Sequence, residues 1–389
     1  MYSKRVSGVQ PSATLAITSK AKAMLRDGED VVVLAAGEPD FDTPVIIKEK
    51  AKKAIDEGFT KYTPAGGIVS LKETICRKLF DENGLEYTAD NIVISCGAKH
   101  SLYNIMQAIC DPGDEVLIIS PYWVSYPEMA RLAGAVPRIV PAYRENGFKA
   151  KIEDIAKNIN PGTRSLIINS PSNPAGVVYD KKELAAISDL CLEKGVRVIS
   201  DEIYEKILYD GKKHVSTASL SDDARENTIL VNGVSKSFSM TGWRIGYIAA
   251  EEGLIKKITI LQSHSTSNPC SISQAAAECA LTGDLSGILE KNRSEFEGRR
   301  DLVMDLLKGA EKLDPFKPEG AFYLFCDISG TGMDSVTFAR KLLEEKKVAI
   351  IPGGPFGEDG YIRISFATSR EMIREGIGRI VEWVDGQVF

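Results

Sequence analysis

Residues 228–249 read TILVNGVSKSFSMTGWRIGYIA. The runs at 228–231 and 245–249 predict two strands, and a loop rich in small and hydroxyl residues joins them. In that loop Lys236 precedes Arg244 by eight positions. A lysine that reacts with an aldehyde needs a neutral amine in a narrow pocket, and a nearby fixed cation both lowers its pKa and can hold a phosphate. The segment predicts a reactive lysine beside a phosphate anchor, although a lone lysine in such a loop is more often a solvated surface group.

Short β-branched runs alternate with helical segments on both sides of this stretch. Apolar residues recur at intervals of three and four in residues 46–56 and 70–81, as in amphipathic helices, and a Pro- and Gly-containing loop at 59–67 separates them. The runs that predict strands lie at 92–95, 115–119, 165–169, 196–200, 228–231 and 245–249. Repeated alternation of this kind predicts a mostly parallel sheet covered by helices on both faces.

Residues with chemical potential follow directly after these predicted strands. They are Gly97-Ala98-Lys99, Trp123, Asn173, Asp201 with Tyr204, and Ser235-Lys236. Ligands of open parallel sheets bind outside the carboxyl ends of the strands. We therefore expect these residues to converge on one pocket.

The pattern changes after residue 282. A long charged helix is predicted at 285–308, followed by a strand at 321–326, a helix at 335–345, strands at 348–351 and 361–366, and a final helix from 370. This order predicts a second, smaller α+β domain. We expect an N-terminal arm and part of the small domain in residues 1–45, a large domain in 46–284, and the small C-terminal domain in 285–389.

Composition excludes few classes, since 43% hydrophobic and 26% charged residues are ordinary for a soluble globular protein. The 48 basic and 54 acidic residues give a net charge of -6, which weighs against nucleic acid or anionic membrane as a partner. The sequence lacks a signal-like apolar core and any uncharged stretch of the ~18 residues that a membrane span needs. Seven scattered cysteines without Cys-x-x-Cys spacing predict reduced thiols in the cytoplasm, and three isolated histidines predict no metal site.

Several motifs together resemble a known family. The segment Ser235-Lys236-(x)3-Met240-Thr241-Gly242-Trp243-Arg244-x-Gly246-Tyr247 stands with Gly37-Glu38-Pro39-Asp40-Phe41 and Tyr361-Ile362-Arg363-Ile364-Ser365. In this order they resemble the class I aminotransferases, and within them the Ib subgroup of prokaryotic aspartate aminotransferases, over essentially the whole chain. The resemblance implies a fold-type I pyridoxal-phosphate-dependent transferase, α/β in class. Its large domain would contain a mostly parallel, mixed seven-stranded sheet beside a smaller α+β domain.

The resemblance assigns most of the cofactor site. Lys236 would bond covalently to the cofactor and then move a proton between the substrate Cα and the cofactor as general base and acid. Arg244 and Ser235 would hold the phosphate together with backbone N–H groups at Gly97-Ala98-Lys99, where a helix begins. Asp201 would keep the pyridine nitrogen protonated, so that the ring can accept electrons.

Further residues are assigned to the two faces and the rim of the cofactor. Tyr204 and Asn173 would flank its ring oxygen, and Trp123 would stack on its ring; Asn173 and Trp123 would also meet substrate. Tyr62 would reach the cofactor phosphate of the neighbouring subunit, which makes the protein a homodimer with shared active sites. The family also has cis peptide bonds at positions matching Ser120-Pro121 and Asn173-Pro174, and we expect both here.

The substrate is assigned by fewer residues. Arg363 would bind the α-carboxylate that every amino acid carries, with Gly37 supplying a backbone group nearby. Lys99 would bind the distal carboxylate of aspartate or glutamate; a cation at a helix start opposes the helix dipole unless an anion is bound, so the position favours a ligand-binding role over a solvated one. Ser12 and Thr14 would fold over the substrate, and the same features accompany prephenate use in some members.

The sequence thus predicts a homodimeric aspartate aminotransferase that transfers the amino group of L-aspartate to 2-oxoglutarate by a ping-pong cycle. The alternatives within the class are an aromatic, alanine or prephenate aminotransferase. A carbon–sulfur β-lyase would use the same lysine for elimination, and a non-catalytic cofactor-binding module of the kind fused to a DNA-binding domain is a third class. The intact set of Lys236, Asp201, Tyr204 and Arg363 argues against the last.

Overall fold

The computed structural model of the chain describes residues 2–11 and 13–386. The β-strands of this part are, in chain order, β1 (Val32–Val33), β2 (Ile92–Ser95), β3 (Glu115–Ile119), β4 (Val136–Val140), β5 (Thr163–Asn169), β6 (Arg197–Asp201), β7 (Thr228–Gly233), β8 (Gly246–Ala249), β9 (Asp314–Phe316), β10 (Tyr323–Asp327), β11 (Val348–Ala349), β12 (Ile351–Pro352) and β13 (Tyr361–Ser365). All six strands predicted between residues 92 and 249 are present, with ends that differ by at most two residues.

The α-helices of the same described part are α1 (Lys4–Ser7), α2 (Ala13–Arg26), α3 (Val45–Asp56), α4 (Val69–Asn83), α5 (Ala98–Ile109), α6 (Ser125–Leu132), α7 (Ile152–Asn158), α8 (Lys181–Glu193), α9 (Asp222–Asn227), α10 (Glu252–Ser263), α11 (Ser271–Thr282), α12 (Ser286–Leu306), α13 (Ser335–Lys346) and α14 (Arg370–Asp385). Within residues 2–11 and 13–386, none of these helices has both the length and the apolar composition that a membrane crossing needs.

Seven strands form one sheet in the order β2-β8-β7-β6-β5-β3-β4. The neighbouring strands from β7 to β4 run parallel, whereas β8 is antiparallel to both β7 and β2. This confirms the prediction of a mostly parallel, mixed seven-stranded sheet. The direction of β8 follows from the short loop at 234–245, which joins β7 to β8 without a crossover helix.

Helices cover both faces of this sheet, as the alternating contacts of β2 illustrate. On β2, Ile92 and Ile94 pack into a cluster with residues of α3, α4 and α11, whereas Val93 packs into another cluster with residues of α5, α6 and α10. Side chains of a strand point alternately to its two faces. Continuous apolar runs such as β2 and β7 are the pattern expected for strands buried on both sides.

The strand β4 (Val136–Val140) lies at one edge of the sheet and was not predicted. Its sequence VPRIV contains a proline and an arginine, and its Val136 and Ile139 side chains are exposed. Prolines and charged residues are typical of edge strands. Such a strand carries neither the alternating nor the continuous apolar pattern on which the prediction depends.

The C-terminal part forms a four-stranded antiparallel sheet in the order β12-β13-β10-β9, packed with α12, α13 and α14. The single strand predicted at 348–351 is divided in two. Val348 and Ala349 pair in parallel with β1, whereas Ile351 and Pro352 pair with β13. The chain leaves one sheet and enters the other at the buried Ile350. The two halves of one continuous apolar run therefore pair with different strands.

The register of the large sheet aligns the ends of its central strands. Asn169 at the end of β5 lies opposite Asp201 at the end of β6, and Asp201 in turn lies opposite Val231 of β7. The loops that follow these strands therefore start side by side at one edge of the sheet. This is the edge at which the sequence places its reactive residues.

Candidate active site

A cavity of about 430 Å³ opens at this edge. It is lined by Thr14, Thr18, Lys22, Gly37, Glu38, Ala98, Lys99, Leu102, Trp123, Val124, Ser125, Tyr126, Asn169, Asn173, Asp201, Ile203, Tyr204, Ser235, Lys236, Thr241, Arg244, Tyr323 and Arg363. Its size falls within the range of small-molecule sites. The structure therefore brings together almost every residue that the sequence singled out, from segments more than 300 positions apart.

Lys236 lies in the loop after β7 and projects into the cavity. Its Nζ donates a hydrogen bond to the Gly37 carbonyl oxygen at 2.6 Å, and the rings of Tyr204 and Phe322 lie 5.8 Å from it. Burial lowers the pKa of Lys236 to about 8; the Glu38 carboxylate opposes this shift, and the guanidinium of Arg363 adds to it. The amine therefore loses its proton more readily than an ordinary lysine, and an attacking amine must be uncharged.

Arg244 lies at one end of the cavity, against the start of α5. It has a left-handed backbone (φ 57°), and its side chain donates to the Thr241 and Cys96 carbonyl oxygens at 2.9 and 3.3 Å. A Cβ atom at Gly97, whose φ is 88°, would collide with the Arg244 guanidinium, and one at Gly246 would collide with the backbone of Ala98. The two glycines therefore create a concave backbone surface beside a cation.

The helix α5 begins at this concave surface. Amides in the first turn of a helix lack acceptors within the helix, and its dipole favours a bound anion. Together with Arg244 and the buried Ser235, they make a set of donors that fits a phosphate group. This is the geometry expected for the phosphate end of pyridoxal phosphate.

Asp201 ends β6 and is almost fully buried in the cavity wall. It accepts a hydrogen bond from the Tyr126 hydroxyl at 2.7 Å and from the Ile203 backbone N–H at 3.3 Å. Burial raises the pKa of Asp201 to about 6, and these two hydrogen bonds limit the shift. The Asp201 carboxylate has no cationic hydrogen-bond partner among residues 2–11 and 13–386, so it suits a ligand that carries a positive charge, such as a protonated pyridine nitrogen.

Tyr204 and Asn173 reach the cavity from neighbouring loops. The hydroxyls of Tyr204 and Tyr323 lie 2.9 Å apart, and burial raises the pKa of Tyr204 well above its usual value. Asn169 holds the local backbone, because its Nδ2 donates to the Asp201 carbonyl oxygen at 2.9 Å and its Oδ1 accepts from the Asn173 backbone N–H at 2.8 Å. The loops after β5 and β6 are thus tied to each other at the site.

Arg363 comes from β13, in the C-terminal sheet, and is nearly inaccessible to solvent. Its NH1 donates to Asn173 Oδ1 at 3.0 Å, its NH2 donates to the Ala35 carbonyl oxygen at 3.1 Å, and its guanidinium lies 4.3 Å from the Tyr323 ring centroid. Its Nε is buried without a hydrogen-bond partner in the described part of the chain. Arg363 lines the cavity and forms no ion pair with a carboxylate of residues 2–11 or 13–386, so its positive charge is suited to a carboxylate ligand.

Lys99 and Trp123 form another part of the wall. The Lys99 Nζ lies 4.8 Å from the Trp123 ring, and no carboxylate of residues 2–11 or 13–386 forms an ion pair with it. Burial lowers the pKa of Lys99, and the neighbouring Arg244 contributes to this shift. An anionic ligand would relieve the repulsion between the two cations.

The N-terminal segment reaches the cavity only in part. Thr14 lines it, together with Thr18 and Lys22 from the same face of α2, which the sequence did not single out. Ser12 lies outside the described residues. Tyr62 does not line the cavity of its own chain; its side chain is 92% exposed.

Besides Thr18, Lys22, Ser125 and Asn169, which also line the cavity, four further polar residues of the site were missed by the sequence analysis as individual candidates. Besides Tyr126 and Tyr323, these are Glu38 and Thr241, whose Oγ1 donates to Glu38 Oε2 at 2.8 Å. Glu38 and Thr241 lie within the quoted motifs, so their neighbours Gly37 and Arg244 could have indicated them. Tyr126 lies on α6 and Tyr323 on β10, where an aromatic residue is indistinguishable from core in sequence.

The predicted cis peptide bonds are both confirmed. Ser120-Pro121 and Asn173-Pro174 are cis, and so is Ser170-Pro171, which was not anticipated.

One group of potential metal ligands lies behind the site. The donor atoms of Glu202, Glu205 and His214 lie within 4.8 Å of one another. The Lys78 ammonium is paired with Glu205, and His214 Nε2 lies 2.8 Å from Glu202 Oε2. The group is therefore charge-compensated by side chains of the protein, and the absence of a metal remains a prediction.

Comparison with known proteins agrees with this geometry. The family model described as "Aminotransferase class I and II" matches residues 29–380. An aspartate aminotransferase of Bacillus subtilis is 49% identical over 98% of both chains, and a probable aspartate/prephenate aminotransferase of Aquifex aeolicus is 48% identical over 97% of this chain and 96% of the relative. The solved aspartate aminotransferase of Thermus thermophilus with maleate is 43% identical, with a TM-score of 0.95 over 98% of this chain and 99% of that one. The chain belongs to the class I and II aminotransferases, which are pyridoxal-phosphate-dependent transferases.

Proposed function

We propose that the protein is an aspartate aminotransferase, which converts L-aspartate and 2-oxoglutarate to oxaloacetate and L-glutamate in a ping-pong cycle. The proposal rests on one observation: a single cavity contains two cationic side chains, Arg363 and Lys99, that no carboxylate in the described part of the chain neutralises. A dicarboxylic amino acid would engage both. A monocarboxylic one would leave the Lys99 ammonium, which is exposed at the cavity wall, without an anionic partner.

Lys236 and Asp201 are the proposed catalytic residues. When bound, pyridoxal phosphate supplies an aldehyde that takes up the amino group and a ring that withdraws electrons from the substrate Cα. Lys236 Nζ, with its pKa of about 8, would be suited to take the proton from the substrate Cα and to deliver it to the cofactor. Asp201 would stabilise the positive charge of the ring nitrogen, and the Tyr126 hydrogen bond orients its carboxylate.

The remaining residues of the wall bind and orient. Arg244, Ser235 and the first turn of α5, with Gly97-Ala98-Lys99, would hold the phosphate. Tyr204, also proposed as catalytic, and Asn173 both line the cavity and would donate hydrogen bonds to the ring oxygen of the cofactor. Trp123 lies against Tyr126 edge to face, with ring centroids 5.4 Å apart, so its plane is fixed before a ring stacks on it.

The names of similar proteins support a dicarboxylic substrate. Three relatives that are 47–49% identical over nearly their whole length are named aspartate aminotransferases. The Thermus relative was solved with maleate, a four-carbon dicarboxylate of the same chain length as aspartate. Arg363 would take the α-carboxylate, with Gly37 beside it, and Lys99 the distal one, while Ser12 and Thr14 would cover the substrate from the N-terminal segment.

We further propose that the working form is a homodimer. Tyr62 is 92% exposed, yet it belongs to a loop that the rest of the chain holds firmly, and apolar side chains at the starts of α3 and α4, such as Val45 and Val69, are exposed nearby in sequence. Exposed apolar groups of this kind are typical of interfaces. Tyr62 would then contact the cofactor phosphate of the partner, so each site would contain residues of two chains.

The division into parts is also a proposal. Residues 46–284 would be the large domain, which contains the seven-stranded sheet, and residues 285–389 the small domain, with residues 1–45 as an arm that joins the small domain through the pairing of β1 with β11. All seven cysteines are free thiols, which supports a cytoplasmic location.

A spectral titration tests the proposed reaction. Adding L-aspartate to the purified holoenzyme should bleach the visible absorption of the bound cofactor, and 2-oxoglutarate should restore it. Steady-state rates with aspartate, phenylalanine, alanine and prephenate, each as donor or acceptor in turn, would then rank the substrates. Aspartate turnover far below any of the others would refute the assignment, and pyruvate release from cystathionine without a keto acid would reveal a β-lyase.

A further inference from the structure

The loop of residues 59–68, here called the Tyr62 loop, has neither helix nor strand. Its tip presents Tyr62 to solvent, whereas its other half is packed against β2. Gly67 has a φ of 98° and lies so close to Ile94 that a Cβ atom would collide with that side chain. The Ile94 backbone N–H donates to the Gly66 carbonyl oxygen at 3.0 Å. An exposed aromatic side chain is thus carried by an unusually fixed backbone.

Gln262 of α10 lies beneath this loop and has no solvent exposure. Its Nε2 donates to the Ala65 carbonyl oxygen at 2.6 Å and to the Ile94 carbonyl oxygen at 2.7 Å. Its Oε1 accepts from Asn104 Nδ2 of α5 at 3.0 Å. One side chain therefore joins the Tyr62 loop to β2 and α5, the strand and helix on either side of Gly97.

Gln274 of α11 holds the loop from a second side and is equally buried. Its Nε2 donates to Thr63 Oγ1 at 3.0 Å and to the Pro269 carbonyl oxygen at 2.9 Å, and its Oε1 accepts from the Ile68 backbone N–H at 2.8 Å. The neighbouring Ser271 hydroxyl donates to the Phe59 carbonyl oxygen at 2.7 Å. The loop is therefore anchored at both ends and in its middle.

These contacts are costly to replace. A glutamine amide offers two donors and a carbonyl oxygen, and Gln262 and Gln274 each use all three groups. Fully buried polar side chains are tolerated only when satisfied, and removing one leaves its partners unpaired. Neither glutamine lines the cavity, so catalysis in its own chain does not explain the arrangement.

We propose that Gln262, supported by Gln274, is a positioning residue that fixes the Tyr62 loop so that the Tyr62 hydroxyl meets the cofactor phosphate of a second copy of the chain. This inference rests on the shared active site proposed above. Holding the loop in its bound conformation in advance removes the entropy cost of ordering it when the cofactor binds. Gln262 would then act on a cofactor that its own side chain never touches.

A double-mutant cycle on the dimer tests the proposal. The variants are Gln262→Met, Tyr62→Phe and the double variant. The measured quantity is the Kd of pyridoxal phosphate for the apo dimer. Sedimentation confirms that each variant is a dimer, and hydrogen exchange of residues 59–68 reports the order of the loop. Each single change should weaken binding about three- to tenfold, the range for one net hydrogen bond. The double variant should bind no more weakly than Tyr62→Phe alone. Once the Tyr62 hydroxyl is absent, fixing the loop no longer contributes to cofactor binding.

Other outcomes separate the two proposals. If Tyr62→Phe weakens binding and Gln262→Met adds its full effect to it, Gln262 acts by another route and the positioning role is wrong, while the shared site stands. If Tyr62→Phe leaves the Kd unchanged in an intact dimer, the shared site itself is wrong and the positioning role falls with it.

A milder variant and a control complete the experiment. Thr63→Val removes one acceptor of Gln274 at a half-buried position and should give a smaller loss with the same dependence on Tyr62, even if Gln262→Met does not fold. Asn227→Leu removes a comparable amide contact, from Asn227 Nδ2 to the Val196 carbonyl oxygen at 2.8 Å, away from the Tyr62 loop. It should leave both the Kd and the loop exchange unchanged; a loss equal to that of Gln262→Met would overturn the proposal.

Discussion

The two walls of the cavity differ in how they are assembled. The cofactor wall, formed by Lys236, Asp201 and Arg244, comes from loops at the strand ends of one sheet, and its polar groups are already paired with neighbours. The substrate wall, formed by Lys99, Arg363 and Thr14, combines α5, the C-terminal sheet and α2, and its cations lack a carboxylate partner in the described residues. The cofactor wall is fixed by one sheet, whereas the substrate wall depends on how separate elements meet.

The largest expected effect is the loss of activity when the reactive amine of the cofactor wall is removed. We expect Lys236→Ala to lower kcat on the order of 10⁶-fold, as removal of a nucleophile does in other enzymes, while Arg244 and Asp201 still retain some cofactor. Rapid-mixing kinetics with aspartate would measure it. The surface variant Lys194→Ala is the matched control, and a rate within about a hundredfold of the parent would mean that another group moves the proton.

The second-largest loss of activity should follow removal of the charge of Asp201. Asp201→Asn keeps the shape but takes away the negative charge that faces the ring nitrogen, so we expect kcat/KM to fall about 10³-fold, the scale of a lost electrostatic contact in a buried site. Steady-state kinetics at saturating cofactor would separate this from weaker binding. The exposed Asp222→Asn serves for comparison; a decrease of less than about tenfold would show that the ring does not depend on this carboxylate.

On the substrate wall, Lys99→Met should change selectivity more than rate. Losing one charge-assisted hydrogen bond should raise KM for aspartate about 10- to 100-fold and leave alanine, which has no distal carboxylate, unaffected. Parallel assays with the two amino acids provide the control within one variant. Equal changes for both would mean that Lys99 serves the phosphate instead of the substrate, and the contrast between the walls would weaken.

The smallest expected effect is a shift of a pH midpoint. Asp201 has a raised pKa of about 6, so below that pH it gains a proton, loses its charge and should hold the cofactor less tightly. The Tyr126 hydrogen bond favours the charged form, so Tyr126→Phe should move the midpoint to higher pH by about 0.5–1 unit.

Equilibrium dialysis of pyridoxal phosphate between pH 5 and 8 would measure this shift. The cofactor phosphate titrates in the same range for both proteins, so the difference between them isolates Asp201. A midpoint that moves to lower pH, or not at all, would contradict the role given to Tyr126.

The same contrast explains what could be predicted from sequence. Lys236, Asp201 and Asn173 each follow a β-branched run, and the rule for parallel sheets places such residues at one edge. Tyr126 and Tyr323 were not predicted, because aromatic residues at these positions of α6 and β10 resemble apolar core in sequence. Their roles follow from hydrogen bonds that only the fold creates, between Tyr126 and Asp201 and between Tyr323 and Tyr204.

Long-range packing explains the remaining omissions. Thr18 and Lys22 join the cavity because α2 packs beside it, and nothing in their local sequence reports that contact. The division of residues 348–352 between two sheets likewise depends on distant partners, since β11 pairs with β1 and β12 with β13. Apolar periodicity indicates the secondary structure and the buried face of a segment. It does not identify the distant segment that packs or pairs with that face.

The hydrogen bond from Arg363 to Asn173 joins a strand of the C-terminal sheet to a loop of the seven-stranded sheet. Substrate affinity should therefore report how closely the two sheets approach each other. A substitution that loosens their packing far from the cavity would raise KM for every amino acid in the same ratio, since all share the α-carboxylate. Selection for a faster enzyme could thus act on residues that never contact a ligand.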